Sequence, residues 1–177
     1  MEVFECTLSI DDLDAFVAEL GDVGDRHGVT IQAFDARYVA DRAHLERSVE
    51  LADRAIARGE NIARDRAVEI LLYAAGRRQI DRALEMGVGE GETRAVILID
   101  DGSGGTEGGP SEAETAARNG LADLDAVVAT EPTLEFEGRG EETLCAFFDV
   151  TDAERAATDA SLAELVGERV ALLEVEK

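Results

Sequence analysis

Cysteine is scarce: Cys6 and Cys145 are the only two in a chain of 177 residues. Two thiols this far apart in sequence supply neither a disulfide scaffold nor a four-cysteine zinc site, so a reducing compartment is the expectation. The two histidines, His27 and His44, sit in none of the HxH, HxxxH or HExxH spacings that metal ligation uses. Tryptophan is missing, and lysine occurs once, at Lys177. No apolar run approaches the ~20 residues that cross a bilayer, and the opening MEVFECTLSI lacks a basic leader. These absences point to a cytoplasmic protein with no membrane partner.

What the chain has in quantity is acid. Forty acidic side chains face 17 basic ones, a formal charge of −23. With 45% apolar residues it is not a disordered acidic tail, whose low hydrophobicity prevents folding. Its length fits one domain, 1–177, with chain enough for a core. Sixteen of the 17 basic residues are arginine. An acidic, lysine-poor surface suggests a chain built for molar salt, where the screening length falls to about 3 Å and self-repulsion costs little.

The distribution of charge says more than the total. From Arg26 to Arg82 there are 11 arginines against 9 acids, while the remaining 120 residues hold 6 basic and 31 acidic side chains. One reading pairs these arginines with local acids on solvated helix faces, as at the Glu46, Glu50 and Arg54 spacing. The other docks a polyanion on the spared third.

Periodicity divides the chain into alternating elements. Residues 2–10 read as a strand, then a helix capped by Asp11 or Asp12 carries Leu13, Phe16, Val17 and Leu20 and ends near Gly21–Gly24. Residues 29–36 are a second strand. Leu45, Val49, Ala52 and Ile56 form a helical stripe that stops at Gly59. Asn61 is placed to cap a helix over 62–75, apolar nearly all round at 70–75 and so the most buried one; Gly76 ends it. Arg77, Arg78 and Gln79 turn a corner into a short helix over 80–86. AVILI at 95–99 reads as a strand covered on both faces, and 100–109 as a polar loop. Ser111 and Glu114 form a capping-box pattern for the next helix, and Thr151 and Glu154 another. Residues 126–130, 144–150 and 169–175 read as strands. The class is α/β (α+β): a single domain, with a mixed sheet and a central helical cluster packed against it.

Catalytic chemistry is not legible. His27 and His44 read as surface or capping residues, and Cys6 and Cys145 as small buried hydrophobes. The glycine-rich loop lacks the lysine of a phosphate-binding loop. Acidic pairs such as Asp100–Asp101 or Glu141–Glu142 are expected by chance among 40 acids, so no metal is assigned, nor any cofactor. The expectation is a protein that is not an enzyme.

One stretch is distinctive. Residues 59–88, GENIARDRAVEILLYAAGRRQIDRALEMGV, carry Asn61, Ala63, Glu69, Leu71, Leu72, Tyr73, Gly76, Arg78, Gln79, Ile80 and Ala83. These positions resemble the signature N-x-A-x5-E-x-L-L-Y-x2-G-x-R-Q-I-x2-A of the small accessory subunit of the KEOPS (EKC) complex, the TPRKB-like family. Weaker similarity flanks it, in DARYVADRAHLERSVELADRAIARG before and in the terminal ERVALLEVEK, but does not extend to 100–145, where no family residue is assigned. With its salt-adapted composition the chain resembles a halophilic archaeal member. The resemblance implies a non-catalytic subunit of the machinery for threonylcarbamoyladenosine (t6A) modification of tRNA. Such a subunit binds the kinase-like ATPase subunit of KEOPS and, in archaea, the single-stranded 3′ CCA tail of tRNA.

A single-stranded tail is held through backbone charge, stacking and exposed base edges. On that implication Arg58, Arg64, Arg77 and Arg78 are the phosphate donors, and Asn61 and Gln79 the readers of base edges. Ile80 and Leu84 are the candidate contacts to the kinase-like subunit. Asn61 equally fits a helix cap, Arg77 and Arg78 a helix C-terminus, and Ile80 and Leu84 a core; Gln79 has no evident structural task. Two other readings stand beside this one: a protein-interaction module that regulates a kinase-like partner without binding nucleic acid, and a small-molecule enzyme or sensor using the acidic loops.

Overall fold

The computed structural model describes residues 1–104, 108–135 and 139–175, so part of the 100–109 loop, part of the 137–142 loop, Phe136, Glu176 and Lys177 lie outside the described residues. The chain divides into two compact units, Met1–Ala36 with Gly87–Phe136, and Arg37–Met86 with Glu137–Lys177. The first is built on a sheet, and the described residues of the second are helical apart from turns and links.

The first unit holds strands β1 (Glu2–Ile10), β2 (Thr30–Asp35), β3 (Gly91–Asp100) and β4 (Val127–Thr130), in the order β2-β3-β1-β4. Among the described residues every pairing is antiparallel, which corrects the mixed sheet expected from sequence. Because β1 and β2 both run against β3, they run the same way with β3 between them, joined through helix α1 (Leu13–His27). Likewise β3 and β4 flank β1 and are joined through α5 (Glu112–Ala122). Two such split βαβ units are the ferredoxin-like arrangement, with the whole 37–86 segment entering between β2 and β3. The strand read as doubly covered is buried throughout, Ala95 to Ile99. Direction is set by connectivity, to which the apolar run is blind.

Alternate residues of the strands line one face: Phe4, Cys6, Leu8 and Ile10 of β1, and Ala95, Ile97 and Ile99 of β3. They pack with Phe16, Leu20 and Val23 of α1 and Ala117 and Leu121 of α5. The period of two in the strands and of 3.6 in the helices meet in one core. Asp12 caps α1 by accepting from the Ala15 N–H at 3.1 Å, and Ser111 and Glu114 close a full capping box on α5.

Helix α1 runs on past the two glycines at which it was expected to stop. A Cβ at Gly24 would lie 2.8 Å from the Val29 carbonyl oxygen, so the chain returning into β2 needs hydrogen at that position. A Cβ at Gly21 would meet nothing within 4 Å. Thermal melts should therefore split the pair. Gly24→Ala lowers stability by roughly 1–3 kcal/mol through the backbone clash, whereas Gly21→Ala raises it by about 0.5–1 kcal/mol, the ordinary gain in a helix interior. Equal effects would remove the close approach as the reason for Gly24.

In the second unit, α2 (Arg42–Arg58) packs on α3 (Arg66–Ala75), and α8 (Leu162–Val175) packs on both. Helix α4 (Ile80–Ala83) continues as a 3₁₀ turn, Leu84–Met86, and α6 (Glu142–Phe147) and α7 (Asp152–Ala157) complete the unit. Every residue from Glu69 to Ala75 is buried, as the apolar run required. Gly76 ends α3 in the left-handed region (φ 60°), and a Cβ there would stand 3.2 Å from the Arg169 carbonyl oxygen of α8.

Of two expected strands, 144–150 is helical as far as Phe147 and 169–175 is helical throughout. In 144–150 the buried residues are Leu144, Phe147, Phe148 and Val150, the first three at i, i+3 and i+4, the helical rather than the strand period. Residues 169–175 are the last half of α8, whose buried positions Leu162, Leu165, Val166, Val170 and Leu173 keep helical spacing from its start. Ser161 and Glu164 cap that start reciprocally, at 3.2 and 2.6 Å. This S-x-x-E signal was legible in the sequence, upstream of the segment taken as a strand.

Candidate functional site

Helix α3 stands between the candidate residues. At ten residues and 1.5 Å per residue it separates them by about 15 Å, with Arg58, Asn61 and Arg64 before its start and Arg77, Arg78, Gln79, Ile80 and Leu84 after its end. The structure gathers them into two groups rather than one.

The first group lies on the link from α2 to α3. Arg58, the last residue of α2, reaches the Glu174 carboxylate at 3.3 Å, and Arg54 shares the same acid. Asn61 is not the cap of α3, which begins four residues later than expected, because the Asp65 side chain accepts from the Val68 N–H. Instead the Asn61 amide donates to the Ala63 carbonyl at 2.8 Å. Fully buried Glu69 accepts from the Ile62 N–H at 3.0 Å and the Ala63 N–H at 2.7 Å. Arg66 clamps Asp53 of α2 through two parallel bonds of 2.7 and 2.8 Å. Arg64 is exposed and has no partner among the described residues. Glu69 belongs to the sequence signature, yet no role was read for it; a lone carboxylate in an otherwise apolar helix was the available signal.

The second group is the corner after α3. Arg77 is committed to its own unit: its Nη2 donates to the Phe147 carbonyl at the end of α6, lies 3.7 Å from Asp149, and its guanidinium stacks 5.1 Å from the Phe147 ring centre. It complements a helix C-terminus, though that of α6 rather than α3. Arg78 and Gln79 are exposed. Gln79 stands at the start of α4 with no side-chain capping bond, while its carbonyl accepts from Arg82 and Ala83. Ile80 and Leu84, one turn apart, are 44% and 56% exposed, so neither is core.

Two groups suited to acid–base or thiol chemistry, His44 and Cys6, are spent on packing, whereas His27 and Cys145 are half-buried. His44 is buried, correcting its reading as a surface residue: Nε2–H donates to the Ala74 carbonyl at 2.8 Å and Nδ1 accepts the Ala40 N–H at 3.1 Å. Both bonds require the neutral ring, and burial pushes its pKa down to about 4. Burial likewise pushes the Cys6 thiol up to about 12, far from a reactive thiolate. Asp100, Asp101 and Glu114 bring their oxygens within 4.8 Å of one another. Those oxygens accept backbone N–H groups: Gly102 on Asp100, Ser103 on Asp101, and Asp101 and Ser111 on Glu114. This is how an acid cluster is held in place structurally.

Charge follows the division of the chain. The first unit carries 3 basic against 20 acidic side chains, the second 14 against 20. Most arginines of the second unit are ion-paired, among them Arg42 with Glu46, Arg47 with Glu50, Arg82 with Glu85, Arg155 with Glu141 and Arg169 with Glu154. The reading of paired arginines thus accounts for most of the spared third, and Arg64, exposed and without a partner among the described residues, is a charge it leaves to explain.

The geometry defines a class: an α/β protein that presents exposed side chains at the two ends of a buried helix. The family model described as kinase binding protein CGI-121 matches residues 18–174, including the acidic middle that the sequence signature left out. The chain belongs to this family. No curated protein matches it.

Proposed function

We propose that this protein is the small accessory subunit of a KEOPS complex, a non-catalytic partner of its kinase-like ATPase that also holds the 3′ CCA tail of tRNA. The observation that carries the reading is the family match over 18–174, which encloses the motif whose polar residues stand at the ends of α3. Ile80 and Leu84 form the apolar contact to the kinase-like subunit, as exposed aliphatic side chains one turn apart suit protein docking better than solvent. Arg64 and Arg78 supply phosphate contacts, and Gln79, with its side chain uncommitted to capping, reads a base edge. Arg77 supports the corner from behind.

A gel shift comparing intact tRNA with tRNA lacking its CCA end tests this directly. Intact tRNA shifts, the truncated one shifts weakly, and Arg78→Glu weakens the first by about tenfold while its circular dichroism is unchanged. Equal binding of both tRNAs sinks the CCA grip. A second reading, a kinase-regulating interaction module without nucleic acid, is favoured by the net acid of the second unit and by its many paired arginines. Capture of the kinase-like subunit with no tRNA shift selects it.

A further inference from the structure

We propose that Glu69 is a positioning residue for nucleic-acid binding, fixing the link over 60–65 so that the Arg64 guanidinium meets a phosphodiester oxygen; this rests on the tRNA-binding reading above. The link is short and its backbone is tied down along its length. Glu60 N–H donates to Ala55 O at its start, and Asp65 caps α3 at its end. Between them one carboxylate oxygen of Glu69 gathers two successive N–H groups, and the Asn61 amide closes the turn onto Ala63. The Arg66–Asp53 pair locks the base of the link to α2.

A carboxylate buried in the apolar face of α3 is costly unless its hydrogen bonds are made, so the link and Glu69 require each other. What emerges from this clamp is a single exposed arginine. In a unit with 20 acids, where most other guanidiniums are paired, Arg64 alone has its backbone fixed and its charge uncommitted among the described residues. A guanidinium on a rigid turn loses little freedom on binding and presents a planar fork that matches phosphate. Asn61 acts through the turn rather than on a base.

The measurement is the dependence of tRNA affinity on salt, in a KCl series, for the full chain. Removing one phosphate contact lowers the log–log slope by about 0.7–0.9. Arg64→Ala is expected to show that loss with a several-fold weaker affinity. Glu69→Met, which offers no oxygen to the Ile62 and Ala63 N–H groups, shows the same loss, and the Glu69→Met, Arg64→Ala double variant shows no more than either alone. Asn61→Ala, which removes a single half-exposed bond, falls between Glu69→Met and the wild type and carries the test should Glu69→Met not fold. Capture of the kinase-like subunit by each variant stays at the wild-type level, which a general loss of structure would not allow. A wild-type slope in Glu69→Met and Asn61→Ala overturns the positioning role. A wild-type slope in Arg64→Ala overturns the contact while leaving tRNA binding itself standing. Absence of any tRNA shift by the wild type overturns both.

Discussion

His44→Ala is expected to lower unfolding free energy in urea by about 3–5 kcal/mol at pH 7, among the largest single losses available to this chain. Three costs coincide. The ring fills a buried site edge-on to Phe148, with centroids 5.6 Å apart, so truncation leaves a cavity. The Ala74 carbonyl loses its side-chain donor and the Ala40 N–H loses its acceptor. The tie from the start of α2 to the last turn of α3, on which the 77–79 corner depends, is cut at the same time.

The same residue sets an acid limit. An unfolded imidazole takes its proton near pH 6.5, whereas the folded one resists until about pH 4. Between those values the unfolded chain binds the extra proton, so stability falls as pH falls. The contribution is complete above pH 6.5 and lost as pH drops through 4, a total of about 3 kcal/mol and about 2 kcal/mol by pH 5. His44→Gln keeps some of the volume and cannot titrate. The difference in stability between wild type and His44→Gln should therefore shrink on going from pH 7 to pH 5. A constant difference would show that the ring does not resist protonation.

On the proposed docking face, the double variant Ile80→Asp, Leu84→Asp is expected to weaken capture of the kinase-like subunit by at least about a hundredfold, the scale of a central apolar hot spot. Both side chains are largely exposed, so the fold should tolerate the change; Ala83 and Met86, on the buried side of the same segment, stay untouched. The two new carboxylates put desolvated charge where an apolar contact was needed. Capture at wild-type strength would move the kinase contact off this helix. A matched Leu172→Asp variant, also exposed but on α8, serves as the control for added acid.

A local pattern encodes only what acts within a few residues of chain. Strand β1 and helix α5 were legible because alternation and a capping box act within a few residues. The burial of α3 was legible because a helix apolar all round has no solvent face to offer. Residues 144–150 and 169–175 were misread because β-prone aliphatic and aromatic residues masked a helical period. In α8 the cap at Ser161 and the first buried positions lie upstream of the β-prone segment 169–175. Asn61 looked like a cap because a cap is what such a residue does locally; its actual bond to Ala63 depends on Glu69, a turn of helix away.

By itself the sequence determined the positions of most elements, the most buried helix, the acid surface and the motif that places the chain in its family. These rest on hydrophobic period, capping chemistry and composition, which act over a few residues. Only the tertiary structure decided that the sheet is wholly antiparallel, that His44 is a neutral buried tie and that Arg77 belongs to α6. It also decided that the candidate residues form two groups at opposite ends of α3, and that Glu69 clamps the link beneath Arg64. Each of these depends on which backbone groups a side chain meets after distant segments have packed, and no local period carries that information.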